Sequence, residues 1–158
     1  MRWIDGSELD PEQFSGKTLC EKLAVEMYEH DREKWSGCDD FIRNALLILD
    51  FDTVSNMEGF STPYDGYFTR DSYAKMIGAF REIGDDRDAE ILSEAFRLDV
   101  HYTELLESIS SDDESETVYD AFCEQIDALE KELYLNSDFD MWALLYAYLE
   151  RHIRQQTS

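Results

Sequence analysis

The stretch Phe41–Phe60, FIRNALLILDFDTVSNMEGF, decides the fold. It holds the longest purely aliphatic run in the chain, Ala45-Leu46-Leu47-Ile48-Leu49. Asp50 and Asp52 follow, and Asn56-Met57-Glu58-Gly59-Phe60 closes the stretch with the composition of a turn. Read as a strand, it would deliver two aspartates at a strand end. Read as a helix, Phe41, Ile42, Ala45, Leu46, Ile48, Leu49 and Val54 cover more than one face, and the helix must be surrounded by others.

The flanking sequence favours the helix. Asp10-Pro11-Glu12-Gln13 has a cap residue, a proline at the first helical position and a capping-box glutamine. From Thr18, Leu19, Leu23, Met27 and Tyr28 mark one helical face running to about Trp35, with Ser36-Gly37 as its end. Asp39 or Asp40 caps the central helix, expected over about 40–57. Tyr73, Met76, Ile77 and Phe80 make the next face, ending at Ile83-Gly84. Ile91, Ala95, Leu98 and Tyr102 make another, continued by Leu105, Leu106 and Ile109. Val118, Phe122, Ile126, Leu129 and Leu133 step by 4, 4, 3 and 4. Ser137 is read as the cap of a last helix with Trp142, Leu145, Leu149 and Ile153 facing inward. Residues 58–70, rich in aromatics, form a loop that folds back on the core. Nothing alternates with period two for long. The expectation is one all-α domain over residues 1–158: a compact bundle of about six helices around a central buried helix, with a polar acidic loop or helix start at about 110–117.

A chain of 158 residues with 43% hydrophobic and 13% aromatic content can bury a core without staples. Its 37 acidic and 14 basic residues give a net charge of -23. Such a surface repels nucleic-acid phosphates and anionic membranes and attracts cationic partners. Direct nucleic-acid binding is therefore not expected. Cys20, Cys38 and Cys123 are odd in number and unrelated in spacing, so they read as reduced thiols. The start of the chain lacks a signal-type apolar segment, and no run approaches the roughly 18 residues of a membrane span. A cytoplasmic location is expected.

Asp50-Phe51-Asp52-Thr53-Val54 fits the D-x-D-x-[TV] nucleophile loop of phosphate-transferring α/β enzymes, and Gly84-Asp85-Asp86 echoes the second metal site of haloacid-dehalogenase-like enzymes. That chemistry needs a parallel sheet, an attacking aspartate, a proton-handling aspartate and magnesium. Only about thirty residues separate the two motifs, and helical periodicity precedes the second. His30, His101 and His152 lack partners at metal-ligand spacing and sit among surface-type residues. No catalytic residue, metal or cofactor is therefore assigned, and the hydrolase using Asp50 and Asp52 stands as the alternative from another class.

The charge is uneven. Residues 103–140 carry 13 acidic residues and one basic, giving -12, about half the total excess in a quarter of the chain. Glu116, Asp120, Glu124 and Asp127 step by 4, 4 and 3, two residues out of phase with the apolar series. Two residues are about 200° of helix, so these carboxylates form a stripe opposite the buried face. Neighbours on such a row lie about 5–6 Å apart, close to the roughly 6–7 Å between phosphates along one nucleic-acid strand. With Asp112, Asp113 and Glu114 beside it, the stripe is a candidate mimic of a phosphate backbone. A well-solvated acidic face, or acidity suited to a salty habitat, would account for the same charge.

Phe51-Asp52-x-Val54-x-Asn56-x-x-Gly59-Phe60 and the aromatic loop after it resemble the E-V-N-N-G-G-F…Y-F signature of the DNA mimic protein family of Neisseria type. Ala79-Phe80-x-x-Ile83-Gly84 with Ala89-x-x-Leu92-x-x-Ala95 is similar to that family's helix pair. Ile126–Tyr134, then Tyr148-Leu149-x-x-His152, resembles its C-terminal pattern. Met57-Glu58 departs from the family's Asn-Gly, and the loop before Tyr67-Phe68 is longer. The resemblance covers about residues 40–153. It implies an all-α fold, no known catalysis, a structural turn at Asn56, Gly59 and Phe60, and binding to a transcriptional regulator in place of DNA. The expected partner is thus a basic, DNA-binding protein met by Asp112, Asp113, Glu114, Glu116, Asp120, Glu124 and Asp127. An immunity or antitoxin-like protein that caps a basic toxin is the other binding role the charge would serve.

Overall fold

Phe41–Phe60 is helical almost throughout. In the computed structural model, which describes residues 1–157, Asp40–Glu58 form a helix whose Phe41, Ile42, Ala45, Leu46, Ile48, Leu49, Phe51 and Val54 are all buried. In chain order the α-helices are α1 (Gly16–Glu26), α2 (Asp40–Glu58), α3 (Arg70–Glu82), α4 (Asp86–Ser108), α5 (Asp112–Glu130) and α6 (Met141–Thr157). Short 3-10 turns join them, and the described residues contain no strand beyond one isolated bridge between Arg2 and Glu8. None of these helices is long and apolar enough to cross a membrane.

The helices are arranged as a sequence of neighbours. α1 packs on α6, α6 and α3 flank α2, α3 packs on α4, and α4 carries α5 on its other side. Central α2 is thus covered from several directions, as its multi-faced pattern predicts. By contrast, α5 lies at the edge, with only Phe122 and Ile126 buried. Phe122 stacks on Tyr102 of α4, with ring centroids 4.5 Å apart and planes within 9°. One apolar cluster runs from Met1 and Trp3 through α2 to Ile153.

Capping explains most of the element boundaries. Asp10 accepts a hydrogen bond from the Glu12 amide, Ser15 and Thr18 form a capping box, and Thr69 and Ser72 form another. Gly59 closes α2 at φ 86°, in the region that glycine alone occupies without strain. Asp39 sits at the N-cap of α2, but its carboxylate accepts from the Arg2 amide at 2.8 Å and so ties the N-terminal segment to the helix.

Three expectations are corrected. The helix expected from Thr18 to Trp35 stops at Glu26 and gives way to 3-10 turns at Met27–Glu29 and Arg32–Gly37. Buried Trp35 folds back there and donates its indole N–H to the Met27 carbonyl at 3.3 Å, while Tyr28 turns outward at 52% exposure. Of the two readings of 110–117, the loop gives way and the helix start holds: residues 112–117 open α5, because Ser111 caps the helix at that point. Ser137 ends a 3-10 turn; the residue that caps α6 is Asp140, whose carboxylate accepts from the Ala143 amide at 3.0 Å.

Among the glycines, Gly16 lies tightest against another element. A Cβ there would lie 2.1 Å from the Tyr146 carbonyl oxygen, and the Gly16 amide donates to Glu150 at 2.6 Å. Any side chain must push α1 off α6, because backbone cannot rotate aside as a side chain can. Gly16→Ala is expected to cost about 1–3 kcal/mol, the usual range for overpacking. Urea unfolding would read this as a lower midpoint with an unchanged slope.

Candidate functional site

α5 begins with the Ser111 hydroxyl accepting from the Glu114 amide at 3.4 Å. Asp112, Asp113 and Glu114 fill its first turn, where the positive end of the helix dipole favours them. Glu116, Asp120 and Glu124 follow on the face away from Phe122 and Ile126, Asp127 stands on the flank beside Ile126, and all seven carboxylates are exposed. The 19 residues of α5 contain no lysine or arginine, and no cation among the described residues forms an ion pair with any of the seven. Elsewhere half of the bases are paired with carboxylates, among them Arg43 with Asp40, Lys75 with Asp71, Arg81 with Glu90 and Arg97 with Glu94.

The eighth carboxylate of α5 does structural work. Glu130 accepts from the Phe60 amide at 2.7 Å, fixing the chain just after α2 to the far end of α5. The turn expected at Asn56, Gly59 and Phe60 is therefore the C-terminal end of α2 and its exit. Asn56 lies in the last turn and donates to the Asp52 carbonyl at 2.8 Å, Gly59 is the cap, and Phe60 is buried edge-on to Phe51 at 6.1 Å. Beyond it, Asp99 of α4 is buried and accepts from the Tyr64 amide at 2.8 Å. Phe60 and Phe68 enter the core, while Tyr64 and Tyr67 stay half exposed.

Asp50 and Asp52 are not assembled as a catalytic pair. Buried Asp50 accepts from the Tyr28 hydroxyl at 2.7 Å and from Arg32 at 2.8 Å. Asp52 accepts from the Tyr134 hydroxyl at 2.6 Å, and burial holds its carboxyl above the usual range. Each is held by a different tyrosine, and the parallel sheet that phosphoryl chemistry would require is absent among the described residues. The histidines differ from one another. His101 is exposed as expected and His30 is half-buried. His152, expected at the surface, is half-buried with its ring stacked 4.9 Å from Phe41, and burial lowers its pKa. Cys20 and Cys38 are buried free thiols, pushed up to about 12 and about 11 by desolvation.

Two further aspartates, Asp85 and Asp88, are fully buried where α4 starts. Asp85 caps the helix through the Asp88 amide at 3.0 Å, and Asp88 accepts from the Tyr134 amide at 3.0 Å. Each leaves its Oδ2 without a partner, unless the two carboxyls share a proton. Burial and the neighbouring Asp88 push Asp85 up to about 8, against roughly 3.9 for an unfolded aspartate. The folded state therefore holds an extra proton between about pH 4 and pH 8. The stability this pair contributes is complete below pH 4 and is lost as the pH rises to 8. Asp88→Asn keeps the acceptor for Tyr134 and supplies a donor to Asp85. It is expected to be about 1–3 kcal/mol more stable than the wild type at pH 8, with the difference vanishing near pH 4, in paired denaturation series.

Where the 59–67 segment meets α5, a groove of about 270 Å³ opens beside the stripe. Glu58, Asp65 and Asp127 border it, Phe60, Phe122 and Ile126 floor it, and Tyr67 and Tyr119 stand at its rim. Residues 36–152, from the turn before α2 into α6, match the family model described as DMP19-like protein. No curated protein and no solved structure matches the chain.

Proposed function

Because the chain belongs to the DMP19-like protein family, the DNA mimic protein family, we propose that it is an acidic protein-interaction module that occupies the basic DNA-binding surface of a transcriptional regulator or other nucleic-acid-binding protein. The observation that carries this reading is a set of seven exposed carboxylates on an edge helix, four spaced along it and three in its first turn, none of them in an ion pair among the described residues. Like charges at i, i+4 destabilise a helix by a few tenths of a kcal/mol per pair, and lysines between them would have relieved it. The helix is also a rigid carrier, since the Tyr102–Phe122 stack and the Glu130–Phe60 bond hold both its face and its end. A helix already folded and docked binds without the entropy loss of ordering its backbone. Association is steered by charge and weakened by salt.

The test is capture from a bacterial lysate on the immobilised protein at low salt, followed by elution with duplex DNA. A basic DNA-binding protein released by the duplex supports the proposal. If no basic protein is retained, or if DNA fails to displace it, the proposal fails. A retained toxin that loses activity and resists displacement by DNA would establish the immunity role instead.

A further inference from the structure

The 3-10 turn at Arg32–Gly37, α2 and the start of α3 enclose a hollow of about 400 Å³ to which neither α4 nor α5 contributes a residue. Its floor is apolar, made by buried Trp35, Phe68 and Met76. Arg43, Leu47 and Asp50 line it from α2, at the i, i+4, i+7 spacing of one helical face. Arg32, Arg43 and Lys75 stand on its wall against Glu33 and Asp50, three positive charges to two negative in a chain of net charge -23. A neighbouring hollow of about 640 Å³ shares Arg43, Leu47 and Lys75, so these two cations stand where the hollows meet. The protein uses the cations only in part. Arg43 gives one guanidinium nitrogen to Asp40 at 2.6 Å, and Lys75 pairs with Asp71 at 3.1 Å. Both carboxylates are exposed, and pairs of that kind hold their cations weakly. A separate observation lies at the other end of the hollow. Asp50 is 3% exposed, yet both hydrogen bonds it accepts, from the Tyr28 hydroxyl and from Arg32, end on Oδ1. Its Oδ2 has no donor from the protein and, unlike the Oδ2 atoms of Asp85 and Asp88, is not sealed off. A buried carboxylate oxygen left open to a cavity takes its donor from whatever fills the cavity.

We propose that this hollow binds a small aromatic carboxylate that carries a hydrogen-bond donor at the end remote from its carboxyl group. Arg43 and Lys75 have donors to spare and no acceptor, so they take the carboxylate. The ring lies on Trp35, Phe68 and Met76, and the donor reaches Asp50 Oδ2. Arg32 already neutralises Asp50, so a hydroxyl or a ring N–H suits that oxygen better than an ammonium. Seven residues separate Arg43 from Asp50, about 10.5 Å of helix at 1.5 Å per residue. The Arg43 side chain, reaching along the wall, shortens that span to the length of a one- or two-ring molecule. The volume falls within the roughly 300–1,000 Å³ of small-molecule sites, which are likewise mostly apolar with a few convergent polar groups. The acidity of the chain as a whole does not forbid an anion here. At physiological salt, exposed charges more than about 8 Å away are largely screened, and the nearby cations decide. The site goes beyond the α5 interface and does not depend on it.

The test is titration of the isotope-labelled protein with para-hydroxyphenylacetate and with indoleacetate at about 0.15 M salt, followed through backbone amide shifts. Both acids combine a carboxylate, a flat ring and a donor. Saturable shifts are expected at Arg43, Leu47, Asp50, Phe68 and Lys75, with the α5 amides unmoved. Phenylacetate lacks the donor and tyramine has an ammonium in place of the carboxylate, and each should bind at least about tenfold more weakly. The double variant Arg43→Gln, Lys75→Gln should lose at least about tenfold in affinity for both acids, while its spectrum away from the hollow stays that of the wild type. No saturable shift with either acid, or shifts scattered over the surface, would overturn the site. Phenylacetate or tyramine binding as tightly as para-hydroxyphenylacetate, or undiminished affinity in the double variant, would overturn it as well.

Discussion

Neutralising the stripe with Glu116→Gln, Asp120→Asn, Glu124→Gln and Asp127→Asn is expected to weaken binding of a basic partner by at least about 100-fold, roughly 2.7 kcal/mol. Close charge pairs across interfaces couple by about 1.5–7 kcal/mol each, so losing four leaves ample margin for non-additivity. The four side chains are exposed and make no ion pair among the described residues, and the amides that replace them are nearly isosteric. The fold should therefore be unharmed. Removing i, i+3 and i, i+4 repulsion should raise stability by a few tenths of a kcal/mol per pair. Lost affinity with retained or increased stability separates a binding surface from a structural one. An equal loss of both would mean that α5 itself had come apart. Calorimetric titration and thermal unfolding of the same samples give the two readings, and the affinity of the variant should also lose most of its salt dependence.

Phe51→Ala should have the largest effect on stability, about 3–5 kcal/mol. Phe51 is fully buried in α2, edge-on to Phe60 at 6.1 Å and to Phe80 at 5.5 Å. Removing the ring empties the junction of α2, α3 and the exit from α2 that Glu130 fixes to α5. A loss of that size takes a large part of the roughly 5–15 kcal/mol by which a domain is stable. Because the 59–67 segment stands on Phe60, the change should also loosen the groove, and hydrogen exchange at the Phe60 and Tyr64 amides should accelerate. A cost below about 1 kcal/mol would mean that α2 is not the centre of the core.

Much of this architecture could be read from the chain, for identifiable reasons. Apolar residues on several faces of 41–54 cannot be satisfied by a surface helix or by one side of a sheet, so α2 was legible as central. The stripe was legible because its partners lie within a few turns of one helix, where sequence spacing is spatial spacing. What escaped depends on contacts distant in sequence. Met27, Tyr28 and Trp35 continue a helical pattern on paper, but the chain bends there because Tyr28 and Arg32 are drawn to Asp50. Aspartates normally read as surface, so nothing marked Asp85, Asp88 and Asp99 as buried amide acceptors. The groove was invisible because Glu58, Asp65 and Tyr67 lie about sixty residues from Asp127 in the chain. Its clue was the surplus of aromatics at 60–68.

The most direct measurement uses a captured basic partner bound to a labelled duplex, with anisotropy followed as this protein is added. If α5 takes the place of the phosphate backbone, the duplex should be released completely as the protein saturates the partner, and the four-residue variant should release little. A stable ternary complex that keeps its DNA at saturation would contradict the account.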